Sequence, residues 1–183
     1  HGKPRIFSLI APLLYVHATA GNVQDTRIQF ERVSEEFGMV PNTVCWNIML
    51  TAYMNNDDLD GVVSTFDEML AKGAKPDSYS FGILMGMCAN RGDIDNVLRL
   101  LVLLKENRVQ ITSALLDPIV EAYCNNQLFD LAEQVAEACL DLDVKGSLVR
   151  MWNVLLWNHA FRIDLEAVSR IRSRMEAVGI QPD

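Results

Sequence analysis

Thr43-Val44-Cys45-Trp46-Asn47-Ile48-Met49-Leu50 is the stretch on which the fold turns, because its centre comes round again. Trp46-Asn47-Ile48-Met49-Leu50 recurs as Trp152-Asn153-Val154-Leu155-Leu156, and Gly73-Ala74-Lys75-Pro76-Asp77 recurs as Gly179-Ile180-Gln181-Pro182-Asp183. Both pairs are offset by 106 residues, which is three periods of 35 plus one inserted residue. A fixed period of this size, carried by two independent signatures, marks a repeat architecture in which each unit buries its apolar face against the next. The frame divides the chain into units 7–42, 43–77, 78–112, 113–148 and 149–183, the first and fourth holding one extra residue each. Residues 1–6 precede the frame and read as the remnant of an upstream segment. The pattern is cut at both ends, so the expectation is an array taken from a longer chain, with any targeting peptide outside it.

Within each unit the apolar residues keep fixed slots. The fourth position holds Ile10, Trp46, Phe81, Leu116 and Trp152; the seventh Leu13, Met49, Leu84, Ile119 and Leu155; the eighth Leu14, Leu50, Met85, Val120 and Leu156. Spacings of three and four select one face of a helix. The next column on that face, His17, Tyr53, Cys88, Tyr123 and His159, is amphipathic. A second helix follows polar turns such as Asn55-Asn56-Asp57-Asp58 and Arg91-Gly92-Asp93, whose residues suit a helix exit and the next N-cap. Its expected buried columns are Val23, Leu59, Ile94, Phe129, Leu165, then Thr26, Val62, Val97, Ala132, Val168, then Val33, Met69, Leu104, Cys139, Met175. Gly38, Gly73 and Gly179, each followed shortly by proline, end the second helix in three units. No alternation bounded by hairpin turns argues for strands. The predicted fold class is all-α: an α-solenoid of five helix-turn-helix hairpins.

Composition narrows the function. Lys and Arg number 16 against 24 Asp and Glu, a net charge of −8 with a sequence pI near 4.8. A generically basic nucleic-acid coat is thereby excluded, and any such contact must be local. The four cysteines form no C-x-x-C pair and have no histidine at zinc-ligand spacing, which favours a reducing compartment over a disulfide framework. No apolar run reaches the length of a membrane span.

At these residues a resemblance can be stated. Thr43 to Asp77, opening on Trp46-Asn47, running through Phe66-Asp67-Glu68-Met69 and closing on Pro76-Asp77, resembles a pentatricopeptide repeat of the pure 35-residue (P-type) kind, and Val149 to Asp183 is a second good match. The likeness covers residues 7–183 and is weaker in the first, third and fourth units. It implies a right-handed superhelix whose first helices line a groove for single-stranded RNA, one base per repeat read by two or three side chains. On this resemblance the fifth and last residues of a unit read the base, and Asn with Asp favours uracil. The implied readers are Asn47 with Asp77 and Asn153 with Asp183. The second slot packs against base faces, nominating Val44 and, from the following unit, Tyr79, where an aromatic ring adds stacking. A carboxamide offers donor and acceptor to a base edge, and a carboxylate can fix its orientation. Asn and Asp beside a helix start can equally well cap it.

The other units depart from this pattern. Ala11 with Asn42, Gly82 with Thr112, and Asp117 with Ser147 occupy the reading slots of the first, third and fourth units. Ala11 and Gly82 have no group that addresses a base. The first helices of three units carry no Lys or Arg, and residues 43–148 hold seven basic against sixteen acidic side chains, so weak affinity is expected of this stretch alone. The basic run Arg170 to Arg174 falls on a second helix, away from the groove.

The remaining polar residues have plainer readings. His17 and His159 share a slot in units four apart, too distant to pair on a metal, and read as semi-buried polar residues. Asp57-Asp58-Leu59-Asp60 lacks the glycine and terminal glutamate of a calcium loop and complements a helix N-terminus. Cys88, Cys124 and Cys139 sit at packing slots. Trp46 and Trp152 point to the inter-helix core rather than to a base. No nucleophile-base trio, phosphate loop or H-E-x-x-H occurs, so neither an enzyme nor a cofactor is expected. Two classes of function remain. One is a single-stranded RNA-binding segment of an organellar protein, mitochondrial with plastid as the alternative, acting in transcript stability, processing or translation. The other is a protein-interaction scaffold, using the acidic central repeats to dock onto a mitochondrial ribosome or translation-activator assembly.

Overall fold

Every hairpin turn is built around one residue in the left-handed backbone region: Gly21, Asp57, Gly92, Gln127 and Ile163 have φ of 69°, 53°, 68°, 61° and 61°. That conformation reverses the chain between two helices, and its recurrence at one slot gives the elements their regular succession. The computed structural model describes residues 3–141, 144 and 146–181, with side chains from Ala11 onward. Ten α-helices follow one another: α1 (Lys3–Thr19), α2 (Val23–Glu35), α3 (Thr43–Met54), α4 (Leu59–Ala71), α5 (Ser78–Asn90), α6 (Ile94–Glu106), α7 (Ser113–Asn125), α8 (Phe129–Leu140), α9 (Val149–Phe161) and α10 (Leu165–Ala177). α1 starts at Lys3, ahead of the Phe7 at which the repeat frame opens; Pro4 fits the first turn, where its missing N–H has no helical partner to lose.

Side chains close most of the second helices at their N-termini. Asn22, Asp58, Asp93 and Asp164 accept from the N–H of Asp25, Gly61, Asn96 and Ala167, three residues on in each case. In the fourth unit Leu128 takes that place and makes no such bond. A second left-handed residue ends the second helix in four units, namely Gly38, Gly73, Arg108 and Gly179.

The chain divides into two compact bodies, residues 1–87 and 88–183, with the division inside α5. In the first, α1 packs on α2 and α3, and α3 on α2 and α4. Its core gathers Leu14, Phe30, Val33, Trp46, Met49 and Met69, with the rings of Phe30 and Trp46 edge to face at 4.7 Å. Phe66 of α4 meets Phe81 of α5 in the same way at 5.4 Å. In the second body α7 packs on α6, α8 and α9, and α9 on α8 and α10. Here Leu115, Leu116, Ile119, Val120, Met151 and Trp152 are buried.

Most columns are buried through the middle of the array and loosen at its ends. The column opening the second helix is only half-buried at Val23, Leu59, Ile94 and Phe129, because the first turn of that helix lies at the edge of the core. Leu13 is 45% exposed and Leu165 is 71% exposed, because no further described helix covers them. In α10 the buried small residue is Ala167, with Val168 only half-buried, so the inward stripe runs Ala167, Ile171, Met175. Trp46 and Trp152 are each 2% exposed and are core residues.

Candidate functional site

Val44, Asn47 and Thr51 lie three and four residues apart and therefore share one face of α3. Opposite them is the start of α5. Asp77 immediately precedes that helix, and its Oδ1 accepts from the backbone N–H of Tyr79 at 3.1 Å and of Ser80 at 3.0 Å. Ser80 answers by accepting the N–H of Asp77 on Oγ at 3.1 Å. This reciprocal box satisfies three backbone donors that the helix leaves open. The same Asp77 Oδ1 also accepts from Asn47 Nδ2 at 3.0 Å, and Ser80 Oγ donates to Asn47 Oδ1 at 2.6 Å.

Two expected readers are thus in contact, and two expected packing residues stand beside them. Asn47, Asp77, Val44 and Tyr79 all line one open cleft of about 590 Å³, together with Tyr15 and Thr51. Val44 is 54% and Tyr79 53% exposed, which leaves apolar surface free for a flat ligand to lie against. The Tyr79 hydroxyl lies 3.3 Å from Thr51 Oγ1, which fixes the ring at the mouth, while Thr51 donates to the backbone carbonyl of Asn47. Asn47 is nearly buried, so its carboxamide is held rather than wandering in solvent. Among the described residues the lining carries no Lys or Arg, and Asp77 is its only charged residue. The cleft can therefore recognise a planar polar edge, whereas phosphate charge must be met elsewhere.

Tyr15, Thr51 and Ser80 were not singled out by sequence. Tyr15 and Thr51 share the ninth slot of their units, and that repetition is the signal that could have found them. Asn42, nominated at a reading slot, caps α3 through the N–H of Cys45.

The other expected pair is seen in part. Asn153 is half-buried and borders a cleft of about 550 Å³ with Glu121, Arg150 and Trp157. Asp183 lies outside the described residues. In the fourth unit Asp117 is 5% exposed, its Oδ1 has no hydrogen-bond partner among the described residues, and Arg150 Nε stands 3.8 Å from Oδ2. Burial pushes this carboxyl up to about 6, against the pull of Arg150.

The basic run on α10 is taken up by ion pairs on the protein's own surface. Arg170 pairs with Glu133 and Arg174 with Glu137, both glutamates on α8. His159 is buried with its two ring nitrogens 3.1 Å from Glu133 and 3.3 Å from Asp164; His17 is half-buried. All four cysteines are buried free thiols. Among the described residues no cluster of His, Cys, Asp or Glu could hold a metal ion, and no helix is long and apolar enough to cross a membrane.

Hairpins stacked at a constant period, with a polar pair across a cleft between successive first helices, define a helical-repeat protein. Residues 41–90 match the PPR repeat family, and residues 79–109 match the PPR repeat. Among curated relatives in Arabidopsis thaliana, a chloroplastic pentatricopeptide repeat-containing protein is 23% identical over 185 residues, covering 100% of this chain and 24% of the relative. A mitochondrial one is 30% identical over 83 residues, 45% of this chain and 11% of the relative. The fold is that of maize PPR10, with a TM-score of 0.74, 20% identity, and 95% of this chain against 25% of that one covered. PPR10 in complex with an 18-nt psaJ RNA element aligns with a TM-score of 0.79 at 18% identity over 97% of this chain and 26% of that chain. The PPR domain of Arabidopsis thaliana protein-only RNase P 1, in complex with tRNA, aligns at 0.71 and 15% identity over 96% of this chain and 92% of that chain. Over residues 41–109 the chain carries pentatricopeptide repeats. It spans about a quarter of the length of the first curated relatives it matches.

Proposed function

We propose that this chain is an RNA-reading segment of an organellar protein, which holds single-stranded RNA and does no chemistry on it. The carrying observation is the pair Asn47 and Asp77, hydrogen-bonded at 3.0 Å on the wall of a cleft flanked by Val44 and Tyr79. A base slid between those two side chains would bring its edge to Asn47, and uracil is the base assigned to this slot. Asn153 with Asp183 is assigned the same role in the last unit. The RNA-bound forms of PPR10 and of the protein-only RNase P 1 domain support the ligand class, and the chloroplastic and mitochondrial relatives support an organelle. By binding, such a segment would protect or expose a transcript to processing and translation. The acidic side chains Glu133 and Glu137 already pair with arginines of α10, so less of the acidic surface remains for a protein partner than the charge count implies.

The test is binding of the full-length protein to a uracil-containing single strand. Asn47→Ala combined with Asn153→Ala should lower affinity for it several-fold and erase the preference for uracil over cytosine, with melting temperature little changed. Unchanged affinity and preference in the double variant would overturn the reading, and a partner pulled down undiminished after nuclease treatment would favour a protein scaffold.

A further inference from the structure

We infer that Ser80, a residue of the following repeat, sets the base specificity of the Asn47 slot by fixing which way round the Asn47 carboxamide faces; this rests on the RNA-reading function proposed above. Ser80 is fully buried, and its Oγ lies 2.6 Å from Asn47 Oδ1, across 33 residues of chain. At the other end of the same carboxamide, Nδ2 donates to Asp77 Oδ1 at 3.0 Å. Ser80 and Asp77 are themselves joined, since the Asp77 N–H donates to Ser80 Oγ. The carboxamide is therefore gripped by a hydroxyl donor at its oxygen and a carboxylate acceptor at its nitrogen. Turned over, it would set Asn47 Oδ1 against Asp77 Oδ1, two acceptors face to face.

A primary amide has two N–H donors, and one is used by Asp77. The second has no hydrogen-bond partner among the described residues, and Asn47 is only 7% exposed. A donor left without a protein partner is costly once a ligand excludes water from the cleft, whereas a carbonyl with one lone pair filled is not. The slot is thus short of an acceptor. The O4 of uracil supplies one at the edge where cytosine carries an amino group, so cytosine would leave two donors opposed. Without the Ser80 hydroxyl, Asn47 Oδ1 loses its donor and Asp77 alone still orients the amide, so turning a carbonyl towards the cytosine amino group costs less than it does in the intact slot.

The experiment selects a random single-stranded 18-nucleotide RNA pool on the full-length protein and sequences the bound fraction. Asn47→Ala identifies the position read by this slot as the one whose preference disappears. Ser80→Ala, close in size to serine, should reduce the uracil-over-cytosine ratio at that position by about fivefold, the order of one hydrogen bond. Other positions in the same molecule should keep their ratios, and adding Ser80→Ala to Asn47→Ala should change nothing further there. A ratio left intact in Ser80→Ala, a loss spread equally over all positions, or an effect that persists without Asn47 would each overturn the role of Ser80. A wild-type selection with no base preference anywhere would overturn the RNA reading and this role with it.

Discussion

Asn126 donates to the carbonyl of Gly92 at 2.6 Å, pinning the turn of one hairpin to the turn of the hairpin before it. Its Nδ2 also reaches the Ala122 carbonyl at 2.9 Å, and the neighbouring Asn125 donates to Ala89. The first body repeats the device, with Asn56 donating to Gly21 and Asn55 to Ala18. Glycine is needed at the receiving turn twice over. Gly92 has φ of 68°, and a Cβ there would stand 2.9 Å from Asn126 Nδ2. Asn126→Ala should cost about 1 kcal/mol in urea unfolding. Gly92→Ala should cost more, since it adds backbone strain to the loss of the peg.

The same turn slot holds isoleucine in the last hairpin. Ile163 has φ of 61°, a conformation that a β-branched residue adopts only under strain, and its side chain is 78% exposed. Little burial is lost on removing it. Ile163→Gly should therefore stabilise the protein by about 1 kcal/mol, seen as a rise in thermal midpoint, while Ile163→Val should give no such gain.

Asp117 makes stability depend on pH in a direction unusual for a carboxylate. Burial raises its folded pKa to about 6 from the ordinary 3.8, so the neutral acid suits the folded state better than the charged one. Its favourable contribution is complete below about pH 4 and is lost as pH climbs through 6. Asp117→Asn keeps the shape and removes the charge. It should stabilise the protein at pH 7 by ~1–3 kcal/mol and flatten the change in stability between pH 4 and pH 6, both read from urea titrations.

The thiols should be silent in the native state. Burial pushes Cys45, Cys88, Cys124 and Cys139 above the ordinary thiol range, with Cys124 up to about 12, helped by Glu121 and Glu133. A thiol in this condition presents neither thiolate nor access. Treatment with iodoacetamide at pH 8 should leave all four unmodified by mass spectrometry, and the same treatment in concentrated urea should label all four.

Much of this architecture is legible in the sequence, for a definite physical reason. A residue such as Trp46 or Met69 is buried by neighbours that recur with the period, so its environment is implied by the repeat itself. Leu13 and Leu165 obey the same period but lie where no described neighbour covers them, and periodicity alone carries no information about the ends of a stack. The site divides in a similar way. Asn47, Asp77, Val44 and Tyr79 fall at slots that a resemblance can name, and they meet at one cleft. Ser80 and Asn126 carry no such signal, because serine at a helix start and asparagine in a polar turn are locally sufficient explanations of themselves. Their partners lie about one repeat away, and only the stacking brings them within reach.

Asp77 has a second employment that limits how freely this slot can change. The oxygen that steadies Asn47 is the one that receives the first amides of α5, so on the proposed reading one atom both spells a letter and anchors a beam. Recoding the slot by altering that carboxylate would slacken the entry to the next hairpin as well. Vocabulary and masonry are coupled here, and a new word must come with a repaired joint.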